Sequence, residues 1–217
     1  MRKFGIIQGQ TTPSIALVVD GEDEVWYLQM LKRNERSIRF NIKPEIPAKK
    51  SIDEQYELVQ DLIKREFSKV FWLVDLDAII KETKECHKGK VSPLNKFLKY
   101  RASLLRKHKK VSVIVNNPCL EFWLLLHYER TTKYYETCSE AMAQLRRYLP
   151  DYEKTQKYYT KQDHDIYLKL KPYLNTAIRN SAFLGEFDEQ DPTKAMCEMD
   201  VLFGCDELRK HKDGIIY

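Results

Sequence analysis

Three short apolar runs, each ending at a polar residue, constrain this chain more than any other feature. Ile15-Ala-Leu-Val-Val19 stops at Asp20-Gly21, Val70-Phe-Trp-Leu-Val74 stops at Asp75-Leu76-Asp77, and Val111-Ser-Val-Ile-Val115 stops at Asn116-Asn117-Pro118. Runs this short, rich in β-branched and aromatic residues and bounded by turn formers, read as buried strands. Amphipathic stretches alternate with them. Glu22 to Lys32 reads as a helix with acids in its first turn, where the helix dipole favours them. Ile38 to Ile46 alternates apolar and polar residues like a half-exposed strand. Ser51 and Glu54 make a capping box ahead of the stripe Val59, Leu62 and Ile63. A variable loop is expected from Asp77 to Ser92. Pro93 then opens a helix whose inward face is read as Leu94, Phe97, Leu98, Ala102 and Leu105. Strand and helix in alternation predict an α/β fold with a largely parallel, four-stranded sheet flanked by helices.

After Pro118 the pattern changes to helices, and no further strand is expected. Cys119 to Tyr128 reads as a buried helix and Ser139 to Tyr148 as an amphipathic one. A stripe of Ile166, Leu170, Leu174, Ala177, Ile178 and Ala182 predicts a long helical segment that Pro172 must kink or divide. Asp191-Pro192 reads as an N-cap and N1 proline opening a last helix. The expected organisation is an α/β domain over residues 12–128 and a C-terminal helical portion over 129–217 packed on it, since no Pro/Gly/Ser-rich linker separates them.

Composition excludes several classes. With 43% apolar residues and only 7 Gly and 8 Pro in 217, the chain can bury a core and is neither fibrous nor disordered. Met1 to Gln10 carries no signal-peptide pattern, and no apolar run is long enough to cross a bilayer, so a soluble, cytoplasmic protein with no membrane partner is expected. The five cysteines, Cys86, Cys119, Cys138, Cys197 and Cys205, are scattered and form no CxxC pair, so neither a disulfide framework nor a zinc ribbon is expected. Phosphate-cradling glycine loops are absent, which argues against ATP hydrolysis by this chain alone. His127 and His164 stand alone and read as packing residues.

The acids carry the chemistry. In parallel α/β sheets, ligands sit beyond the carboxyl ends of the strands. One strand delivers Asp20, followed by Glu22, Asp23 and Glu24; another delivers Asp75 and Asp77. Singly, such residues read as helix caps or turn formers. Two clusters on one sheet edge would repel each other and lose solvation unless a cation sat among them. Oxygen ligands without His or Cys select Mg²⁺ or Mn²⁺ over Zn²⁺. Glu121, inside the apolar run Cys119 to Leu126, must be paired, hydrogen-bonded or metal-bound, and outside a metal site it reads as a buried Glu held by an Arg or by a helix N-terminus.

Charge is uneven. The net +5 hides a stretch from His87 to Leu120 with no Asp or Glu, carrying Lys96, Lys99, Arg101, Arg106, Lys107, Lys109 and Lys110. Such a block attracts polyanions, and equally suits a solvated helix face. A second patch interleaves Arg146, Arg147, Lys154, Lys157 and Lys161 with Tyr148, Tyr152, Tyr158 and Tyr159, which fits either base stacking or a packing surface.

The strand ends resemble the Toprim pattern, an acid before Gly on one strand and Asp-x-Asp on a later one, with Asp20 standing where that family normally has Glu. Asp20-Gly21-Glu22-Asp23-Glu24 is similar to the extended form of the first motif. Asn117-Pro118-Cys119-Leu120-Glu121-Phe122-Trp123-Leu124-Leu125-Leu126-His127 resembles a block of RloB proteins, as do Tyr152-x-Lys154 and the expected helix from Ala177 to Leu184 with Asp191-Pro192-Thr193. The resemblance implies a Toprim-like fold and a nuclease component of prokaryotic anti-phage, abortive-infection systems, working on DNA or RNA beside an AAA/ABC-type ATPase partner. It leaves a homo-oligomer open.

In that reading Glu24, Asp75 and Asp77 hold one or two Mg²⁺ or Mn²⁺ ions, Asp20 is the general base or a further ligand, and Glu121 orients the site or holds a second metal. The Lys96 to Lys110 block holds the nucleic-acid backbone. The principal rival is a non-catalytic adaptor that senses a nucleotide or metal through a degraded site and regulates the ATPase. A third reading, an aspartyl-phosphate phosphatase with Asp75 as nucleophile and Asp77 as acid, leaves the acids at Asp20 to Glu24 unused.

Overall fold

Each apolar run is a strand in the computed structural model, which describes residues 14–36, 40–43, 50–87 and 89–209. β1 (Ile15–Val18), β2 (Phe40–Lys43), β3 (Lys69–Asp75) and β4 (Val111–Asn117) run parallel in the order β2-β1-β3-β4. Every residue from Ile15 to Val19 and from Val70 to Val74 is buried, as expected of strands covered on both faces. Residues 38, 39 and 44–46 of the expected second strand, with Met1–Gln10 and Lys88, lie outside the described residues.

Helices α1 (Glu22–Asn34) and α2 (Ile52–Ile63) follow β1 and β2. The Ser51 capping box forms as expected: Ser51 Oγ accepts from the Glu54 amide, and Glu54 Oε2 accepts from the Ser51 amide at 2.8 Å. The expected loop after Asp77 is instead a helix, α3 (Leu76–Lys84). Its buried Leu76 and Ile79, with Ile80 beside them, supply a stripe at i, i+3 and i+4 that short length obscured. Pro93 does open α4 (Pro93–Lys107), capped by Ser92. Leu94, Phe97 and Leu98 face the core as expected, but the face continues through Arg101 and Leu104, while Ala102 is exposed and Leu105 is 41% exposed. The stripe is rotated because Arg101 turns inward, its guanidinium over the Phe187 ring and beside Glu189 and Glu198.

Beyond β4 the chain forms α5 (Leu120–Leu126), α6 (Cys138–Leu145), α7 (Gln156–Tyr159), α8 (Ile166–Leu170) and α9 (Leu174–Leu184). Pro172 lies in a 3₁₀ turn that divides α8 from α9. Asp191-Pro192 does not open a helix. Asp191 Oδ1 accepts from Thr193 Oγ1 in a turn, and the chain enters β5 (Met196–Cys197), antiparallel to the end of β4. This fifth strand, absent from the sequence reading, is only two residues long and has no periodicity to display. Asn117 draws it in by donating from Nδ2 to the carbonyls of Pro192 and Lys194. The buried Glu198 fastens it by accepting from the amides of Val115 and Phe187. Two short helices, α10 (Met199–Phe203) and α11 (Asp206–Arg209), follow. The C-terminal helices pack on the sheet domain, α7 and α8 against α1 and α9 against α5, and Arg33 of α1 pairs with the buried Asp165 at 2.6 Å.

Candidate metal centre at the strand tips

Parallel strands bring their carboxyl ends to one edge, and here those ends are acidic. Val18 lies opposite Trp72, so Asp20 falls within about one residue of level with Asp75, and Asp75 lies opposite Asn116. Asp23 and Glu24, in the first turn of α1, both turn inward and are buried, while Glu22 is exposed. Gly21 makes this possible. Its amide donates to Glu24 Oε2 at 2.9 Å, and a Cβ there would lie 2.6 Å from Glu24 Oε2 and 2.9 Å from Asp23 Oδ1. Asp77, at the start of α3, accepts from the amides of Ala78 and Cys138. Asp75 accepts from the Leu120 amide at 3.2 Å and from Asn116 Nδ2.

Burial and mutual repulsion act together on these acids. Asp75 is raised well above the ordinary carboxylate range by burial first, then by Glu24, Asp23, Asp77 and Asp20. Glu24 is pushed up to about 8, by burial and then by Asp23, against the pull of Lys154. Burial also raises Asp77, against the two amides that hold it. Glu24 Oε1 and Asn116 Oδ1 are buried with no hydrogen-bond partner. Beside Asp20 opens a cavity of about 250 Å³, lined by Gly21, Lys50, Ile52, Gln55 and Ile79 among others.

Glu121 is fully buried and faces the same cluster from α5. Tyr152 donates to its Oε1 at 3.0 Å and in turn accepts from Tyr159. Lys154 Nζ bridges Glu121 Oε1 at 3.1 Å and Asp23 Oδ2 at 2.9 Å. Where the sequence led to an Arg or a helix N-terminus as the partner of Glu121, the structure supplies a lysine and a tyrosine instead. Burial works against the Lys154 charge, but Asp23 and Glu121 outweigh it and hold the ammonium above its ordinary range. Cys119 and Cys138 form a disulfide beside Glu121, contrary to the expectation that the cysteines stay apart. Packing of α6 against α5 brings the two helix N-termini together, which linear spacing does not reveal.

The sequence model of the family described as RloB-like protein matches residues 15–203. The chain belongs to the RloB-like family. The matched RloB-like region runs from the first residue of β1 to the last of α10, and so takes in all the clustered acids, Glu121 and Lys154. Nothing among curated proteins or solved structures matches this RloB-like chain. Among its described residues, no helix is long and apolar enough to cross a membrane.

Asp20, Glu24, Asp75, Asp77 and Glu121, singled out from sequence, thus meet at one edge. Asp23, Lys154, Tyr152 and Gln55 complete the surroundings and were not among the sequence candidates for the site. Asp23 had a signal, standing beside Glu24 in the acidic first turn of the helix that follows Asp20. The basic block divides. Lys99, Arg106, Lys107 and Lys109 are exposed, whereas Lys96 pairs with Asp53, Arg101 turns inward, and Lys110 donates to the carbonyls of Arg65 and Phe67. In the second patch Tyr152, Tyr158 and Tyr159 are buried, so packing claims three of its four tyrosines, and only Tyr148 is exposed.

Proposed function

We propose that this RloB-like protein is a Mg²⁺- or Mn²⁺-dependent nuclease subunit that cleaves nucleic-acid phosphodiester bonds in an anti-phage defence system alongside an ATPase. The observation that carries the reading is the meeting of Asp20, Asp23, Glu24 and Asp77 around Asp75 at the tips of adjacent parallel strands. The donor chemistry around Asp75 suits a hard divalent cation. All the clustered donors are oxygens, and Glu24 Oε1 and Asn116 Oδ1 are buried without a partner. Glu24, Asp75 and Asp77 would hold the ion, with Asp20 as general base or a further ligand. Bound there, the ion supplies charge stabilisation at the scissile phosphate and a lowered pKa for an attacking water.

The chain's own residues do the rest. Gln55 holds Asp20 in one orientation through an amide hydrogen bond. Lys154 offsets the charge of Asp23 and Glu121, which leaves the remaining acids to face the cation. The exposed Lys99, Arg106, Lys107 and Lys109 attract the phosphate backbone.

The test pairs Mn²⁺ titration calorimetry with cleavage of single- and double-stranded DNA and RNA in Mg²⁺, using wild type, Asp75→Asn and Asp77→Ala. Wild type should bind Mn²⁺ and cleave, and both variants should lose cleavage while staying folded by circular dichroism. Unchanged cleavage in Asp77→Ala would refute the metal assignment. Binding without turnover, even with the ATPase present, would assign the protein a sensing role instead.

A further inference from the structure

We propose that Cys119–Cys138 is a thiol–disulfide exchange site for low-molecular-weight thiols, and that its redox state sets how tightly the adjacent carboxylates bind a divalent cation. The second half rests on the metal reading above; the first does not.

The two sulfurs differ in access. Cys119 caps α5 and is 1% exposed, whereas Cys138 is the first residue of α6 and is partly exposed. An incoming thiolate therefore attacks Cys138 Sγ. A new S–S bond forms to Cys138, the Cys119–Cys138 bond breaks, and the electron pair leaves on Cys119 Sγ, which takes up a proton. A second thiol attacks the external sulfur of this mixed disulfide and releases Cys138 as a thiol. Two external thiols are oxidised to a disulfide and the protein gains two electrons and two protons. An external disulfide drives the reverse. Lys154 Nζ, 3.8 Å from Cys138 Sγ, favours the Cys138 thiolate that begins that return.

The bond is coupled to the site through two contacts. Glu121 Oε2 lies 3.1 Å from Cys119 Sγ and 2.8 Å from Cys138 Sγ. Sulfurs in a disulfide carry no proton, so in the oxidised form neither donates to that oxygen. Reduction places an S–H donor beside it from each side. The Cys138 amide is one of the donors that hold Asp77, and the disulfide pins that residue to the start of α5. Opening the bond gives Glu121 Oε2 new thiol donors and, through the Cys138 amide, loosens the hold on Asp77, the ligand by which the bond reaches the cation. The oxidised form is therefore the better-organised cation site. In a compartment that keeps thiols reduced, the pair would hold the site in its weaker state until oxidant rises.

Full-length protein, treated with oxidised glutathione or with dithiothreitol, should show three free thiols (Cys86, Cys197 and Cys205) and five respectively when titrated under denaturing conditions. Mn²⁺ titration calorimetry on the two forms and on Cys138→Ser should give affinities about tenfold weaker for the reduced protein and the variant than for the oxidised protein. Five thiols under both treatments would overturn the exchange site. Equal Mn²⁺ affinity of the two wild-type forms would overturn the coupling. Three thiols changing to five with no Mn²⁺ binding in either form would support the exchange site and overturn the metal reading instead.

Discussion

Gln55 donates from Nε2 to Asp20 Oδ1 at 2.6 Å, and its orientation is set from behind, because Gln55 Oε1 accepts from Trp72 Nε1 at 2.9 Å. An indole can only donate, so the amide has one way round. Asp20 therefore always meets an N–H and never a carbonyl. A catalytic or ligating carboxylate gains by this, since its orientation is set without reorganisation.

Gln55→Leu removes the acceptor of a buried indole N–H. The cost expected is about 1–3 kcal/mol, read from urea unfolding. Adding Trp72→Phe removes the stranded donor, so the double variant should lose less than the sum of the two singles. Strict additivity would show that the relay does not exist.

Gly21→Ala should act on the site more than on the fold. Its Cβ meets the two acid side chains, not backbone, so Glu24 and Asp23 must swing away. Mn²⁺ affinity should fall by about tenfold or more, with circular dichroism unchanged. A variant with native affinity would show that Glu24 is not a ligand.

Acid should destabilise the protein through His127. This residue is buried, its Nδ1 faces the Trp123 carbonyl at 3.0 Å, and its Nε2 has no partner. Burial lowers its pKa from 6.5 to about 4. A depressed folded value means the unfolded chain binds the proton first, so stability is fully present above pH 6.5 and is lost as pH falls towards 4. At about 1.4 kcal/mol per unit the loss is on the order of 3 kcal/mol. Glu24 and Asp75, raised by burial, shift stability the opposite way as pH falls, so the check is the difference between wild type and His127→Phe, which cannot titrate: the wild type should lose stability relative to the variant as pH drops from 6.5 towards 4.

The basic residues of α4 and its following turn should separate by experiment. Replacing Lys99, Arg106, Lys107 and Lys109 with Ala should weaken nucleic-acid binding and reduce its salt dependence without changing stability. Arg101→Ala should instead cost about 2–4 kcal/mol in urea unfolding, because it strips the counter-charge from the buried Glu198.

The parallel strands and the acids at their tips were legible because both signals are local. A buried strand reads as a continuous apolar run, and the residue that ends it sits at the sheet edge whatever the rest of the chain does. The Ser51 capping box and the break at Pro172 were legible for the same reason. Helix α3 and strand β5 were not. One is a short stripe beginning inside an acidic motif, and the other is two residues recruited by Asn117 and Glu198.

Which acids exist, and that two strand ends present them, was determined by the order of residues alone, since parallel strands carry their carboxyl ends to the same edge. Which partners surround them was decided only by folding. Lys154 reaches Asp23 and Glu121 from beyond α6, Gln55 reaches Asp20 from α2, and Cys138 reaches Cys119 when α6 packs on α5. Those meetings depend on how helices settle over an apolar sheet. No spacing along the chain encodes that, because the burial that drives it is non-directional.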